Sequence, residues 1–160
     1  MKVSVIGAGA MGGAIVQGLL KGDFSKNSDI TIADPSQKVI DQFAETGASI
    51  TTDNNIAAES SDIVNVVVKP WLVKDVLEGI KPSLNYKKQI LVVVAAGVTS
   101  GQIKEWLAKD GEDLIPFFLV IPNIAIALLS SMTFIVPANA KPEHTKLISE
   151  LYGSMGEVII

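Results

Sequence analysis

A glycine-rich segment near the start of the chain restricts the fold more than any other feature. It reads VSVIGAGAMGGAIVQGLL over residues 3–20, and Gly7, Gly9 and Gly12 follow the pattern G-x-G-x-x-G between a β-branched run and an apolar helical repeat. In such a turn the first glycine leaves the strand tightly, the second lacks a Cβ that would obstruct a ligand, and the third lets the helix pack on the strand. The free N–H groups of the first helical turn attract an anion. The segment therefore predicts a site for a dinucleotide diphosphate, with a turn that serves packing alone as the alternative.

Short β-branched runs alternate with amphipathic segments along the rest of the chain. The runs predict strands over residues 2–6, 29–33, 48–51, 63–68, 89–95, 117–121, 133–136 and 157–160. Strands that alternate with helices indicate a mainly parallel, doubly wound sheet. We therefore predict an α/β fold of the Rossmann type, with a single dinucleotide-binding domain over residues 1–160.

Start and stop signals locate several of the helices. The second helix is expected to end at Gly47, because glycine readily adopts the left-handed conformation of a C-terminal cap. Thr99 and Gln102 have the spacing of a capping box at a helix start. Pro142 and Gly153 are placed to begin and to end the last helix. These signals support the alternation of helices and strands.

One long stretch without ionisable side chains, residues 114–140, permits two interpretations. It is long enough to span a bilayer as a helix. Pro122 and Asn123 interrupt it, however, and divide it into a strand, a turn, a short helix and a second strand. Parallel strands that are covered on both faces are nearly unbroken apolar runs. We therefore favour a buried α/β core and predict no membrane partner.

Composition excludes several classes of function. The net charge is −4 with no basic stripe, so we expect no nucleic-acid partner. The chain has no cysteine and one histidine, which excludes disulfides and thiolate metal sites, and we expect no metal. The apolar stretch at the N-terminus is too short for a signal peptide, so a cytoplasmic location is expected.

Asp34 follows the second predicted strand, about twenty residues beyond the last glycine of the motif, where an acid accepts hydrogen bonds from an adenosine ribose. A carboxylate there also repels the 2′-phosphate of NADP, which favours NAD. Ser36 and Lys38 follow closely and are suited to a 2′-phosphate, so NADP stays open. As an alternative or additional role, Asp34 is placed to cap the next helix.

Three more segments end buried strands with small, bent or polar residues, at the edge where a doubly wound sheet binds its ligand. They are VVVKP, VVAAGVT and VIPN. Lys69 directly follows an apolar strand, and a solvated lysine is the simpler interpretation than a catalytic one. No nucleophile, acid pair or metal cluster is evident, so the chemistry is expected to reside in a cofactor.

Five segments together resemble the pyrroline-5-carboxylate reductase family: IGAGAMGGAI, VVVKPWLV, VVAAGVT, IPNIAIALLSSMTFIVP and LYGSMGEVI. They cover essentially the whole chain in the family's order. The resemblance implies an oxidoreductase that uses NAD(P)H to reduce the C=N bond of 1-pyrroline-5-carboxylate to L-proline, in proline biosynthesis. With the strand-end argument above, the predicted cofactor-binding residues are Gly7, Ala8, Gly9, Ala10, Met11, Gly12, Asp34, Pro35, Ser36, Asn54, Val68, Lys69, Pro70, Ala95, Ala96, Gly97, Pro122 and Asn123. For Asn54, an ordinary turn or cap asparagine stays open as the alternative.

The chain departs from the family in two respects. The family commonly continues Pro-Asn with Thr-Pro, whereas Ile124 and Ala125 stand here. Proteins similar to this one also continue into a helical domain that forms a homo-oligomer and binds the small-molecule substrate, and that domain is missing from this chain. The resemblance thus implies the cofactor-binding half of a reductase, with no catalytic residue assigned within it and little or no activity of its own.

Two other classes of function stay open. One is another reductase with a G-x-G-x-M-G loop, such as a β-hydroxyacid dehydrogenase or a deazaflavin-dependent NADP oxidoreductase. The other is a non-catalytic dinucleotide-binding module, because one fold hosts many functions.

Overall fold

All eight predicted strands form, and they lie in one sheet. In the computed structural model, which describes residues 1–160, they are β1 (Val3–Ile6), β2 (Ile30–Ala33), β3 (Ser49–Thr51), β4 (Ile63–Val66), β5 (Ile90–Val93), β6 (Phe117–Ile121), β7 (Ser131–Ala138) and β8 (Gly156–Ile159). Their order across the sheet is β3-β2-β1-β4-β5-β6-β7-β8. Only the β6–β7 pair is antiparallel, so the mainly parallel, doubly wound sheet is confirmed.

Helices cover both faces of this sheet. They are α1 (Ala10–Lys21), α2 (Gln37–Asp41), α3 (Asn54–Glu59), α4 (Val73–Ile80), α5 (Ser100–Leu107) and α6 (Pro142–Gly153). Ile15 of α1 and Leu151 of α6 belong to the apolar core on one face. Leu77 of α4 and Ile103 of α5 belong to the core on the other face. Because both faces are covered, every residue of β1, β4 and β5 is buried, which explains their nearly continuous apolar character.

The uncharged stretch over residues 114–140 belongs to the core of the sheet. It forms β6, a 3₁₀ turn over Ile124–Leu128, and β7. None of the helices combines the length and the apolar character that a bilayer-spanning helix requires. The interruption at Pro122 and Asn123 therefore predicted the structure of this segment correctly.

The expected cap at Gly47 is wrong, because α2 ends at Asp41. Gly47 does have a positive φ of +90°, but it follows a series of tight turns rather than the helix. In those turns the N–H of Thr46 donates to the carbonyl of Phe43 at 3.2 Å, and the Thr46 hydroxyl donates to the same carbonyl at 2.6 Å. A threonine hydroxyl that occupies a carbonyl in this way competes with helical hydrogen bonding.

The capping box at the start of α5 is confirmed. The N–H of Gln102 donates to the Thr99 hydroxyl at 3.2 Å, and the N–H of Thr99 donates to the Gln102 side chain at 3.0 Å. Pro142 and Gly153 are the first and the last residues of α6, as predicted. The capping box fixed the start of α5 because its two hydrogen bonds lie within one turn. Pro142 suits the start of α6 because a proline in the first turn loses no helical hydrogen bond.

A row of large apolar side chains crosses one end of the sheet. Ile121 of β6 pairs with Phe134 of β7, and Phe134 pairs with Ile159 of β8. These side chains are 54%, 47% and 45% exposed. The row lies on the face that carries α3, α4 and α5, beyond the residues that these helices cover. The row is therefore an exposed apolar patch, the kind of surface that marks an interaction site.

A chain of buried polar groups joins α6 to the centre of the sheet. The hydroxyl of Tyr152 donates to Asn65 Oδ1 at 2.8 Å, and Asn65 Nδ2 donates to the carbonyl of Ser4 at 3.0 Å. All three residues are buried. Burial raises the pKa of Tyr152, so its phenol keeps the proton that it donates. Within this series of three residues, each hydrogen-bond donor has an acceptor, as a buried network requires.

We predict that Tyr152→Phe lowers the free energy of unfolding by roughly 1–3 kcal/mol, because it leaves the buried acceptor of Asn65 without a donor. Urea denaturation measures the change. A double-mutant cycle with Asn65→Ala provides the control, since the loss should not add when the acceptor is already gone. A loss for Tyr152→Phe within about 0.5 kcal/mol, as at a surface site, would contradict this account.

Candidate cofactor-binding cleft

A cleft of about 580 Å³ opens at the carboxyl ends of the parallel strands. Ile6 at the end of β1 lines it, with Val67 following β4 on one side and Asp34 following β2 on the other. Val94 follows β5 and Ile121 ends β6 along the same wall. Strand order reverses between β1 and β4, and a doubly wound sheet forms its ligand crevice at such a point.

The three glycines of the loop differ in whether the structure requires a glycine at their position. Gly7 has a φ of +95°, and a Cβ there would lie 2.2 Å from the carbonyl oxygen of Val67. A Cβ at Gly12 would lie 1.8 Å from the carbonyl oxygen of Gly7. Gly9 has a φ of −69°, and a Cβ there would have no atom within 4 Å. Packing and backbone conformation thus require Gly7 and Gly12, whereas nothing in the protein itself requires Gly9.

The N-terminus of α1 presents its amides at this loop. The first hydrogen bond of the helix runs from the N–H of Gly13 to the carbonyl of Gly9, at 2.7 Å. The N–H groups of Ala10, Met11 and Gly12 precede it and have no partner in the helix. No side chain caps this end. Free amides and the positive end of the helix dipole make the loop suited to an anion.

Asp34 holds the loops at the ends of β1 and β2 together. Its Oδ2 accepts a hydrogen bond from the N–H of Ala8, and its Oδ1 accepts one from the N–H of Ser36, each at 2.9 Å. The expectation that Asp34 caps the next helix is wrong. Ser36 is the N-cap of α2, and its hydroxyl accepts from the N–H of Val39 at 3.4 Å. The carboxylate of Asp34 is instead held against the glycine loop that follows β1, through the N–H of Ala8.

Asn54 is the first residue of α3 and lines the cleft. The helix is capped by the preceding residue, Asp53, whose Oδ1 accepts from the N–H of Asn55 at 2.9 Å. Asn54 is therefore not needed as a cap. Its Oδ1 is buried and has no hydrogen-bond partner within the protein. A buried acceptor without a donor is unusual and is suited to a ligand that carries a hydroxyl or an N–H group.

The wall opposite Asp34 is mostly apolar. Val68, Pro70, Ala95 and Pro122 line it, together with Lys69. Lys69 is exposed and makes no salt bridge, in agreement with the prediction of a solvated lysine. An apolar wall with few polar groups is typical of a site for a flat organic ring.

Most of the predicted cofactor-binding residues line this cleft. They are Gly7, Gly9, Ala10, Met11, Gly12, Asp34, Pro35, Asn54, Val68, Lys69, Pro70, Ala95, Ala96 and Pro122. Ala8, Ser36, Gly97 and Asn123 do not line it. Ala8 is buried, Ser36 caps α2, Gly97 lies in the turn after β5, and Asn123 begins the 3₁₀ turn after β6. Contact with a cofactor stays a prediction for all of these residues.

Sequence analysis missed the contribution of α4. Leu72 directly precedes α4, Asp75 and Val76 lie in its first turn, and all three line the cleft. A signal was available, because apolar residues recur at positions 73, 76, 77 and 80 with helical spacing. The other missed lining residues, Ile6, Val67, Val94, Val120 and Ile121, adjoin strand ends that were identified.

The sheet order and the glycine loop define a Rossmann-type α/β fold. A sequence model of the family described as "NADP oxidoreductase coenzyme F420-dependent" matches residues 2–97. Because the match spans more than half of the chain, the protein belongs to this family of oxidoreductases.

Individual relatives extend the similarity to the whole chain. Pyrroline-5-carboxylate reductase of Methanosarcina acetivorans is 31% identical over 160 residues, which covers 99% of this chain and 57% of the relative. The structure of a pyrroline-5-carboxylate reductase from Coxiella burnetii has a TM-score of 0.85 at 28% identity, covering 99% of this chain and 57% of that one. The Plasmodium falciparum pyrroline carboxylate reductase with NADP bound has a TM-score of 0.86 at 22% identity, covering 99% and 56%, and supports the fold. The resemblance is confirmed, and the chain spans just over half the length of these relatives.

We predict that the three loop glycines differ in their tolerance of alanine. Gly12→Ala should lower the free energy of unfolding by about 3 kcal/mol or more, because a methyl group cannot fit against the Gly7 carbonyl. Gly9→Ala should change it by less than about 0.5 kcal/mol. Chemical denaturation of both variants measures the difference. Gly79→Ala is a matched control, since Gly79 also has open space around its Cβ position but lies outside the cleft, in α4. Equal destabilisation by Gly9→Ala and Gly12→Ala would contradict the assignment.

Proposed function

We propose that this chain is the cofactor-binding domain of a pyrroline-5-carboxylate reductase. The whole enzyme would use NAD(P)H to reduce 1-pyrroline-5-carboxylate to L-proline in proline biosynthesis. Similarity to such reductases over nearly the whole chain supports the proposal. A second domain that binds the substrate, a homo-oligomer formed through it, a cytoplasmic location and the absence of a nucleic-acid partner belong to the same proposal.

One observation carries the proposal for the site itself. The protein's own atoms leave Gly9 free to be any small residue, since its φ is ordinary and its Cβ position is open. The open space faces the free amides at the start of α1. A glycine at that position is explained by a ligand that approaches the backbone more closely than a Cβ allows.

Each part of a nicotinamide dinucleotide has a candidate binding group among the cleft residues. The amides of residues 10–12 would hold its diphosphate. Asp34 and the unpartnered Oδ1 of Asn54 would accept hydrogen bonds from the adenosine ribose. Ala95 and Pro122, on the apolar wall, would border the nicotinamide half. The bound cofactor supplies a hydride for a C=N bond, while the chain orients it and excludes water from one side.

We propose that NADH is preferred over NADPH, although the matched family is described by NADP. The charged side chains of the cleft are Asp34, Asp75 and Lys69, so acids outnumber bases. The chain contains no arginine, the residue best suited to bind a phosphate in two places. Ser36 and Lys38, which were considered for a 2′-phosphate, lie outside the cleft lining. A second phosphate on the adenosine ribose would thus meet carboxylates without a compensating guanidinium.

The family description also names coenzyme F420, so a deazaflavin-dependent reductase is the main competing function. That match ends at residue 97, whereas the reductase relatives align through β6, β7 and β8 as well. Turnover assays on a protein that includes the second domain, with 1-pyrroline-5-carboxylate or a deazaflavin as hydride acceptor, distinguish the two. Cofactor binding without turnover of either acceptor would favour a non-catalytic binding module.

We predict that Gly9→Ala lowers the affinity for NADH and for NADPH by about tenfold or more, because its methyl group occupies the space of the diphosphate. Quenching of the protein's tryptophan fluorescence on titration with each cofactor gives the affinities. Gly79→Ala, outside the cleft lining, should leave both affinities unchanged. Wild-type affinity in a folded Gly9→Ala variant would mean that the diphosphate binds elsewhere, and the proposed site would be wrong.

We further predict that Asp34→Ser shifts the ratio of the two affinities toward NADPH by about tenfold or more, because it removes a carboxylate that repels the 2′-phosphate. Side-by-side titration of NADH and NADPH against both proteins measures the ratio. Glu78→Gln removes an exposed charge of α4 outside the cleft and is the control for net charge. An unchanged ratio in Asp34→Ser would refute the role of Asp34 in cofactor choice.

A further inference from the structure

Asp34 connects the glycine loop to the start of α2 through its two carboxylate oxygens. Oδ2 accepts the N–H of Ala8, in the glycine loop, and Oδ1 accepts the N–H of Ser36, at the start of α2. Ala8 and Asp34 are 26 residues apart in the chain and meet because β1 and β2 are parallel neighbours. One further backbone bond joins the same two loops, from the N–H of Gly7 to the carbonyl of Ala33 at 2.8 Å.

We propose that Asp34 is a positioning residue that holds the glycine loop in its binding conformation before any cofactor arrives. This inference rests on the proposed function, and it assigns to Asp34 a second task besides recognition of the ribose. The carboxylate fixes the amide of Ala8, so that the loop turns toward α1 with the amides of Ala10, Met11 and Gly12 left free. Hydrogen bonds from backbone N–H groups to a carboxylate are short and strong, and they restrict a loop rich in glycine that is otherwise mobile.

The same two hydrogen bonds restrict the side chain of Asp34 itself. Rotation of the carboxylate away from the cleft, to admit a 2′-phosphate, would break the bonds to both Ala8 and Ser36. Each oxygen accepts one N–H and keeps a further lone pair for a ribose hydroxyl. The order of the loop and the exclusion of NADPH are therefore coupled in one residue, and a substitution that relieves the repulsion also loosens the loop.

Electrostatics alone and loop positioning predict opposite effects on the binding of a bare diphosphate. Removal of a negative charge beside the loop should tighten the binding of an anion. Loss of the positioning bonds should weaken it, because the loop must then be ordered on binding. Inorganic pyrophosphate has no ribose, so it isolates the loop from ribose recognition. The sign of the change in its affinity decides between the two.

The first test measures amide hydrogen exchange by NMR in the protein without ligand. In Asp34→Ser the amides of Ala8 and Ser36 should exchange faster by about tenfold or more, the effect of one net hydrogen bond. In Asp34→Asn the remaining oxygen should protect one of the two. Asp53→Ser is the matched control, because Asp53 bonds the N–H of Asn55 in the same type of turn without touching the glycine loop. Unchanged exchange at Ala8 in Asp34→Ser would overturn the proposal.

The second test is titration with pyrophosphate, followed through the amide signals of residues 10–12. Asp34→Ser should weaken pyrophosphate binding by about threefold or more, even though it removes a like charge. Equal or tighter binding would overturn the positioning role. If the wild-type chain bound neither pyrophosphate nor NADH, the proposed function would fail, whereas the exchange experiment, which needs no ligand, would still decide whether Asp34 orders the loop.

Discussion

The contact between the backbones of Gly7 and Gly12 determines the geometry of everything around it. A methyl group at Gly12 would overlap the carbonyl oxygen of Gly7, so helix α1 begins closer to β1 than any other residue would permit. That approach directs the start of the helix at the carboxyl edge of the sheet. The free amides of the first turn then face the cleft, and the loops after β2, β4 and β5 surround them. The cleft is thus a consequence of how one helix joins one strand.

Sequence patterns predicted the strands well because strand signals are local. A buried parallel strand is a short apolar run, and all eight such runs became strands, with ends shifted by a few residues. Polar residues inside these runs were not informative. Asn65, in the centre of β4, forms the buried link between Ser4 and Tyr152. In the sequence it is visible only as one polar residue within an apolar run. Tyr152 lies 87 residues away from Asn65, and no local pattern predicts a contact at that separation.

The candidate site was predictable in outline for the same reason, and its details were not. Gly7, Gly9 and Gly12 follow from their spacing, and Asp34 follows from its distance to them. Their partners depend on which loops the sheet brings together. The hydrogen bond between Asp34 and the amide of Ala8 depends on the pairing of β1 with β2. Asp34 makes this bond instead of capping α2, which was the expectation from the sequence. Gly47 failed as a cap because a nearby hydroxyl satisfied the carbonyl that a longer helix would have used.

Asp34, Asp75 and Lys69 give the cleft an electrostatic character that is distinct from its shape. In the proposed function a diphosphate would be held chiefly by peptide amides and a helix dipole, which are neutral groups with fixed orientation. Such groups tolerate carboxylates nearby, as long as the loop keeps its conformation. With such a ligand, the backbone would bind the diphosphate, and side chains would select the adenosine ribose.

The open position at Gly9 changes how motifs of this kind are to be interpreted in other sequences. The first and the third glycine serve the junction of strand and helix, so natural selection for folding alone would retain them in a descendant that no longer bound a nucleotide. Only the middle glycine lacks such a reason. In an evolutionary survey of related domains, replacement of that one residue by a larger one would mark the lineages in which the nucleotide has been lost while the architecture survives.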